Sequence, residues 1–323
     1  HLMENGPDPK IAEAAADELA RSGPASLGHL VHMPAHIYYR IGRYADSMKA
    51  NIAAARADEQ YLAIAGDDGL YRYGYYPHNV HFLLTSAQMV GNLHSVASET
   101  ERLKSILNDD VAKQLPWVQA IHAAPAFALA QSGSPEAILA LTKDSTDLAY
   151  VEAMRHYARA VGQALAGDKA AFETEIAALD TAGASAELAA MAEQGFPAPD
   201  IVKLASHVAR GRFALANGNP AAAVGEFEKA EAIEATIPYN EPPYWYYPVA
   251  QSRGAALYAM GRHREASAAF RKALFLAPNN GWALYGLARS EAKAGHNLEA
   301  KAAKTKLEEV WQGETGWLDM KRL

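Results

Sequence analysis

The sequence contains no cysteine. That excludes disulfides, thiolate nucleophiles and cysteine metal ligands, so any bound metal must take histidine or carboxylate. Long apolar runs are also missing. None approaches the roughly 20 residues of a membrane-spanning helix, and the mean hydropathy is −0.18, so no membrane span is expected. Positive charge is in the minority, with a formal net charge of −7. A nucleic-acid binder wants a basic face, and nucleic acid is not an expected partner. Several catalytic signatures are absent too: the phosphate-binding Walker loop, a glycine-rich turn after a strand, the G-x-S-x-G elbow and H-E-x-x-H. A cysteine-free chain suits either redox environment, so the compartment stays open, with the cytoplasm slightly favoured. The opening "HLMENGPDPK" reads as the tail of a helix followed by a turn. Further sequence is expected before His1.

What is present is half hydrophobic by composition, enough for a sizeable core, and it repeats. Gly261 and Gly295 are 34 residues apart, as are Ala266 and Ala300. Gly254, Tyr258, Gly261, Ala266, Phe270, Ala273 and Pro278 mark one unit. Small residues at Gly254 and Ala266 let two helices approach, Gly261 turns the chain, and Pro278 ends the unit because proline cannot continue a helix. This pattern closely resembles the tetratricopeptide repeat, whose period is 34 residues. More degenerate units turn at Gly42, Gly91, Gly133, Gly167 and Gly218. Alanine abounds and strand patterns are absent. The expected fold is all-α: a right-handed solenoid of about seven helical hairpins. It is read as a single helical-repeat domain over 1–323, with a His-rich half over 1–110 and regular repeats over 200–312. Three insertions interrupt it, at 65–77, 183–200 and 236–248. Long insertions in a solenoid tend to lie on its binding side.

Two histidine-rich stretches stand out: "GHLVHMPAHIYYR" at 28–40 and "YPHNVHF" at 76–82. His29 and His32 lie 13 and 10 residues before Gly42; His78 and His81 lie 13 and 10 before Gly91. The pairs therefore hold equivalent slots in consecutive repeats. At about 100° per residue, His29, His32 and His36 share roughly a 60° arc of one helix. Most histidines are surface or satisfied core residues. His94, His207, His263 and His296 fit that description, and His122 and His156 fall off the register and are expected to pack. Five histidines in matched slots point instead to ligation, since H-x-x-H and H-x-x-x-H are suitable spacings on a helix. His29, His32, His36, His78 and His81 are thus the candidate metal ligands. With imidazole dominant, zinc, copper, iron or nickel fits better than magnesium or calcium. Pro34 complicates the arc. If the helix begins after it, the placement of His29 and His32 fails.

The slots at 13 and 10 before the later turns hold Pro248 and Gln251, then Trp282 and Tyr285. The insertion "NEPPYWYYP" adds Glu241, Tyr244, Trp245, Tyr246 and Tyr247. Packing against neighbouring helices explains such rings as readily as binding does. The functional reading is an aromatic wall for a small or peptide ligand, from Tyr76, Trp245, Tyr247, Gln251, Trp282 and Tyr285. Glu241 and Tyr39 are then candidate acids or bases, and Trp245 and Trp282 are expected to face the groove. Taken together, the His-rich stretches, "EPPYWYYP" and "NGWALYGL" are similar to a His-rich subgroup of bacterial tetratricopeptide-repeat proteins over nearly the whole chain. That resemblance implies that these first-helix positions line a concave groove. It also implies a further histidine-bearing helix where this chain begins, with His1 and Glu4 as its remnant. It implies no reaction. Three functions stay open: a binding protein with a metal site in its groove, a metal-dependent hydrolase or oxidoreductase using the same site, or a plain protein-interaction scaffold. Scaffold grooves that clamp carboxylates want Lys, Arg and Asn where these slots hold His, Trp, Tyr and Gln.

Overall fold

The computed structural model describes residues 1–66 and 69–323, so Asp67 and Asp68 of the first insertion lie outside the described residues. Among the described residues there is no strand. The fold is an all-α solenoid built from antiparallel hairpins, each with a glycine at its turn. The first pairs Pro34–Arg40 with Tyr44–Ala65, and the second pairs Tyr76–Met89 with Leu93–Ile106. Pro116–Ser132 with Pro135–Leu141 and Ala149–Ala166 with Lys169–Gly183 make the third and fourth. Ala198–Ala216 pairs with Pro220–Glu234, Val249–Ala259 with His263–Leu276, and Gly281–Ala294 with Asn297–Val310. This is a tetratricopeptide-like array, and its turns are the glycines that the sequence marks. All but Gly133 adopt positive φ, between 70° and 84°, a region that glycine enters without steric cost. No helix among the described residues is long and apolar enough to cross a membrane.

Small residues set the helix spacing. The fully buried ring of Phe270 sits between Gly254 and Gly286, and a Cβ at Gly286 would overlap it. Gly286→Ala is therefore expected to cost about 1–3 kcal/mol through overpacking. That should lower the thermal midpoint by several degrees, read by circular dichroism. An unchanged midpoint would mean that the ring has room to move.

Two features decide where the site lies. First, the ends of the array meet. The Asn279 amide donates to the Gly42 carbonyl at 3.1 Å, and the Trp282 indole donates to the Gln88 carbonyl at 2.7 Å. The Gln312 amide donates to the Val90 carbonyl at 2.8 Å. Trp311 lies flat against Gly91, where any side chain would collide with it. The turns of the first two hairpins thus dock on the last repeat. Second, the segment 239–247 runs across the inner face. Glu241 reaches His36. Tyr246 stacks edge-on to His81 and Phe127, Trp245 packs on Phe127 and Tyr157, and Tyr244 meets Phe196. The inner surface that an open solenoid would expose is largely filled, and one continuous apolar core runs from Tyr39 to Leu323.

Candidate functional site

At the N-terminal end this filling stops short and leaves a cavity of about 470 Å³. His1, His29, His36, His78, His81, Tyr75, Trp117 and Glu241 are on its wall.

Pro34 does not spoil the register. It begins a helix at Pro34–Arg40, separate from Gly28–His32. Met33 between them stays right-handed helical, at φ −48° and ψ −39°, so the chain turns through without changing face. His32 and His36 keep their one-turn relation, and their Nε2 atoms lie 2.8 Å apart. His78 comes from the second hairpin, its ring centroid 4.9 Å from that of His32 and 5.9 Å from that of His36. One nitrogen from each of the three falls within 4.8 Å of the others. Phe82 supplies an apolar floor, its ring 5.0, 4.8 and 5.1 Å from His32, His36 and His78.

The orientation of His32 is fixed from behind. Its Nδ1 lies 2.6 Å from Asn51 Oδ1, while the Asn51 amide nitrogen donates to the Ser47 carbonyl at 2.8 Å. That donation sets the Asn51 amide, so its oxygen faces the ring and accepts from Nδ1–H. The Nε2 lone pair of His32 is left for a ligand role. His36 is held by carboxylates: its Nδ1 is 2.5 Å from Glu241 Oε2 and 3.1 Å from Glu4 Oε2. His1 Nδ1 is 2.6 Å from Glu4 Oε1. Beneath, buried Asp58 accepts from the Tyr71 hydroxyl at 2.6 Å and from the Asn79 amide at 2.7 Å. It lies so close under Gly28 that a Cβ there would overlap its carboxylate.

These placements sort the protonation states. Burial pushes the His32 and His78 imidazoles well down, and the neighbouring His36 pushes further, so both are neutral near pH 7. Burial alone takes His81 down to about 3. Burial also opposes a charge on His36, but Glu241 and Glu4 outweigh it and its pKa is raised. Burial pushes Glu241 up, with Glu4 adding to the rise. Glu4 is buried too, yet His36 and Glu241 beside it bring it below the usual carboxylate range. In the metal-free site the two carboxylates therefore favour the charged form of His36, whose Nε2 lies beside that of a neutral His32.

Sequence expectation and structure part at several residues. His81 is not in the ligand group with His32, His36 and His78; its Nε2 pairs with the Tyr246 hydroxyl. His29 stands at the cavity edge, its ring 6.2 Å from His32 and 5.4 Å from Tyr75. None of the expected aromatic-wall residues lines this cavity. Trp282, fully buried, packs perpendicular to Trp311 at the closure of the array. Trp245 is buried against Phe127 and is on the wall of a separate cavity of about 290 Å³, not of the histidine cavity. Tyr247 pairs with the Tyr157 hydroxyl at 3.2 Å, Gln251 accepts from Asn280 at 2.9 Å, and Tyr76 donates to Glu59 at 2.7 Å. Tyr285 lines a separate hollow at the C-terminal end beside Arg289. Of the acid–base candidates, Glu241 is on the cavity wall. Tyr39 is buried with its hydroxyl unpaired and faces an adjacent cavity of about 290 Å³. The physical reason is common to most of them: the inner face is occupied by 239–247 and by the docked ends, so inward-pointing side chains become core. Asn51 was not found by sequence. It sits on a second helix, 19 residues after His32, where no spacing rule connects the two.

No protein-family model matches the chain, and no curated protein matches it. Among solved structures, a chain of the crystal structure of the APC/C hetero-tetramer Cut9-Hcn1 is similar over 98% of this chain, at 13% identity and a TM-score of 0.35. The present chain spans 59% of that one. A likeness so remote bears on neither the site nor its function.

Proposed function

We propose that this chain is a helical-repeat protein that holds a divalent transition-metal ion on His32, His36 and His78, beside a cavity for a small ligand. The observation that carries the reading is the convergence of three imidazole nitrogens, contributed by two hairpins, within 4.8 Å of one another. Two of these rings are neutral, as ligation requires. His32 and His36 each have a partner on the far nitrogen of the kind that orients metal-binding histidines. The tetrahedral angle at zinc–nitrogen distances of 2.0–2.1 Å implies nitrogens roughly 3.3 Å apart, close to the 2.8 Å between His32 and His36. The donor set favours zinc, copper, iron or nickel. The sequence likeness to His-rich bacterial tetratricopeptide-repeat proteins belongs to this same reading.

A small ligand is favoured over an extended peptide because 239–247 already crosses the inner face. The same fact weighs against a plain scaffold. A metal-dependent hydrolase or oxidoreductase is the second reading, favoured by Glu241 on the cavity wall beside His36. Three protein ligands leave a coordination position open, and a bound ion would then act as a Lewis acid on the ligand.

The test is titration of tag-free, metal-stripped protein with cobalt(II), followed by competition with zinc. A saturable first equivalent with the absorption of a nitrogen-rich, low-coordinate cobalt site is expected. No binding in the micromolar range would overturn the proposal. Asn51→Leu should weaken this equivalent by about 10–100-fold, the usual effect of losing the partner that orients a ligating histidine. Asn51→Asp, which keeps an acceptor at Nδ1, should retain it. Equal affinities in the two variants would mean that His32 is not a ligand.

A further inference from the structure

Resting on that reading, we propose that the chain binds a second divalent cation, on Glu4, Glu241 and His1, with His36 shared between the two ions. His36 presents Nε2 to His32 and Nδ1 to the carboxylates, so its two nitrogens face two separate ligand groups. Oxygens of Glu4 and Glu241 and nitrogens of His1 and His36 fall within 4.8 Å of one another. Two carboxylates drawn this close, one of them 2% exposed, repel each other unless a positive charge lies between them.

In the metal-free protein the charged form of His36, which the two carboxylates favour, supplies that charge; two dications would supply more of it, and among the described residues no arginine or lysine side chain is paired with either carboxylate. The guanidinium of Arg40 donates from Nε to the Glu4 backbone carbonyl at 2.8 Å and stacks over Tyr239. Buried Glu4 Oε2 points into the group without completing a hydrogen bond. It lies 3.1 Å from His36 Nδ1, which is closer to Glu241 Oε2 at 2.5 Å. Buried polar atoms are seldom left so. A cation at the centre would satisfy Glu4 Oε2 together with Glu241, His36 and His1. The mixed oxygen and nitrogen set suits a harder ion than the first site does, such as manganese or iron(II), though zinc also fits. His36 would give up its protons and become the bridge, its negative charge adding to those of the two carboxylates against two dications.

The experiment is equilibrium loading of stripped protein with zinc and, separately, with copper(II), scored by elemental analysis and electron paramagnetic resonance. Wild type is expected to take two equivalents, and the two coppers should couple through the shared imidazole and lose most of their resonance intensity. Glu4→Gln with Glu241→Gln should take one equivalent, retained at His32 and His78, with a full-intensity isolated copper signal. Circular dichroism on that variant guards against misfolding. A circularly intact Glu241→Gln single variant gives the same readout should the double variant fail to fold. One equivalent in wild type, unchanged by the glutamines, overturns the second site and leaves the first standing. Two equivalents unchanged by the glutamines place the second ion elsewhere and overturn it as well. No bound metal at all overturns the first site, and the second with it.

Discussion

Alanine at both His32 and His78 is expected to abolish binding of the first metal equivalent while the helical array persists. Loss of one orienting partner typically costs 10–100-fold in metal affinity. Removing two of three ligands should exceed that range and leave His36 alone, which no longer makes a site. The fold should tolerate the change, because a solenoid distributes its stability over neighbouring repeat interfaces. The cost will not be zero. His32 is fully buried, and its removal leaves the Asn51 oxygen without its donor, a loss of about 1–3 kcal/mol. Isothermal titration with zinc and a thermal melt separate the two effects. Retained binding at wild-type affinity would assign the ion to other residues. A comparison variant, His81→Gln, should keep the metal, because His81 pairs with Tyr246 and is outside the ligand group.

That difference between His78 and His81 marks how far the sequence can be read. The turn glycines at 42, 91, 261 and 295 fixed the phase of each hairpin, and the 13-and-10 spacing brought His29, His32, His78 and His81 to one end of the array. Spacing resolves faces, not rotamers. His81 and His78 are on neighbouring parts of one helix, and what separates them is Tyr246, 165 residues further on. The insertion that carries Tyr246 and Glu241 was recognisable as unusual, but its path across the inner face was not. That path depends on Phe127, Tyr157 and Phe196, each on a different helix. Trp282 illustrates the same limit from the other side. Its slot is inward in register, and it is core only because the last repeat docks on Gln88 and Gly91. Pro34 shows a local rule softened by context. It starts a new helix, yet Met33 holds the helical geometry across the junction and the histidine face survives. The pairing of His1 with Glu4, three residues apart, needed no long-range information. Their meeting with Glu241 did.

Acidification should cost the metal-free protein stability at His81 well before ordinary carboxylates titrate. Its imidazole is buried, with Nε2 paired to the Tyr246 hydroxyl and Nδ1 without a partner. Burial takes its pKa from 6.5 to about 3. The unfolded chain accepts a proton there near pH 6.5, and the folded chain does not. Between those values the unfolded state binds more protons, so stability falls as pH falls. At about 1.4 kcal/mol per unit, the loss from His81 alone is about 1.4 kcal/mol at pH 5.5 and about 3 kcal/mol at pH 4.5. His32 and His78, also lowered by burial, add in the same direction. Groups with a raised pKa have the opposite sign. His36 gives stability that is complete below 6.5 and lost as pH rises above it, so it adds nothing on acidification. Glu234, pushed up by burial to about 7, and Glu241 and Asp58, also raised by burial, take up protons in the folded state first and offset part of the acid loss. Glu4, lowered, adds to the loss only below its ordinary value of 4.5. From pH 7.5 through 5.5 to 4.5, the wild-type urea midpoint should therefore fall relative to that of His81→Gln, whose amide does not titrate and in which the other groups are unchanged. Parallel slopes in the two proteins would show that His81 takes up its proton in the folded state, and that the Tyr246 contact yields to solvent. Zinc at saturation should steepen the wild-type profile further, because protonation of the ligating imidazoles then competes with the ion as well as with the fold.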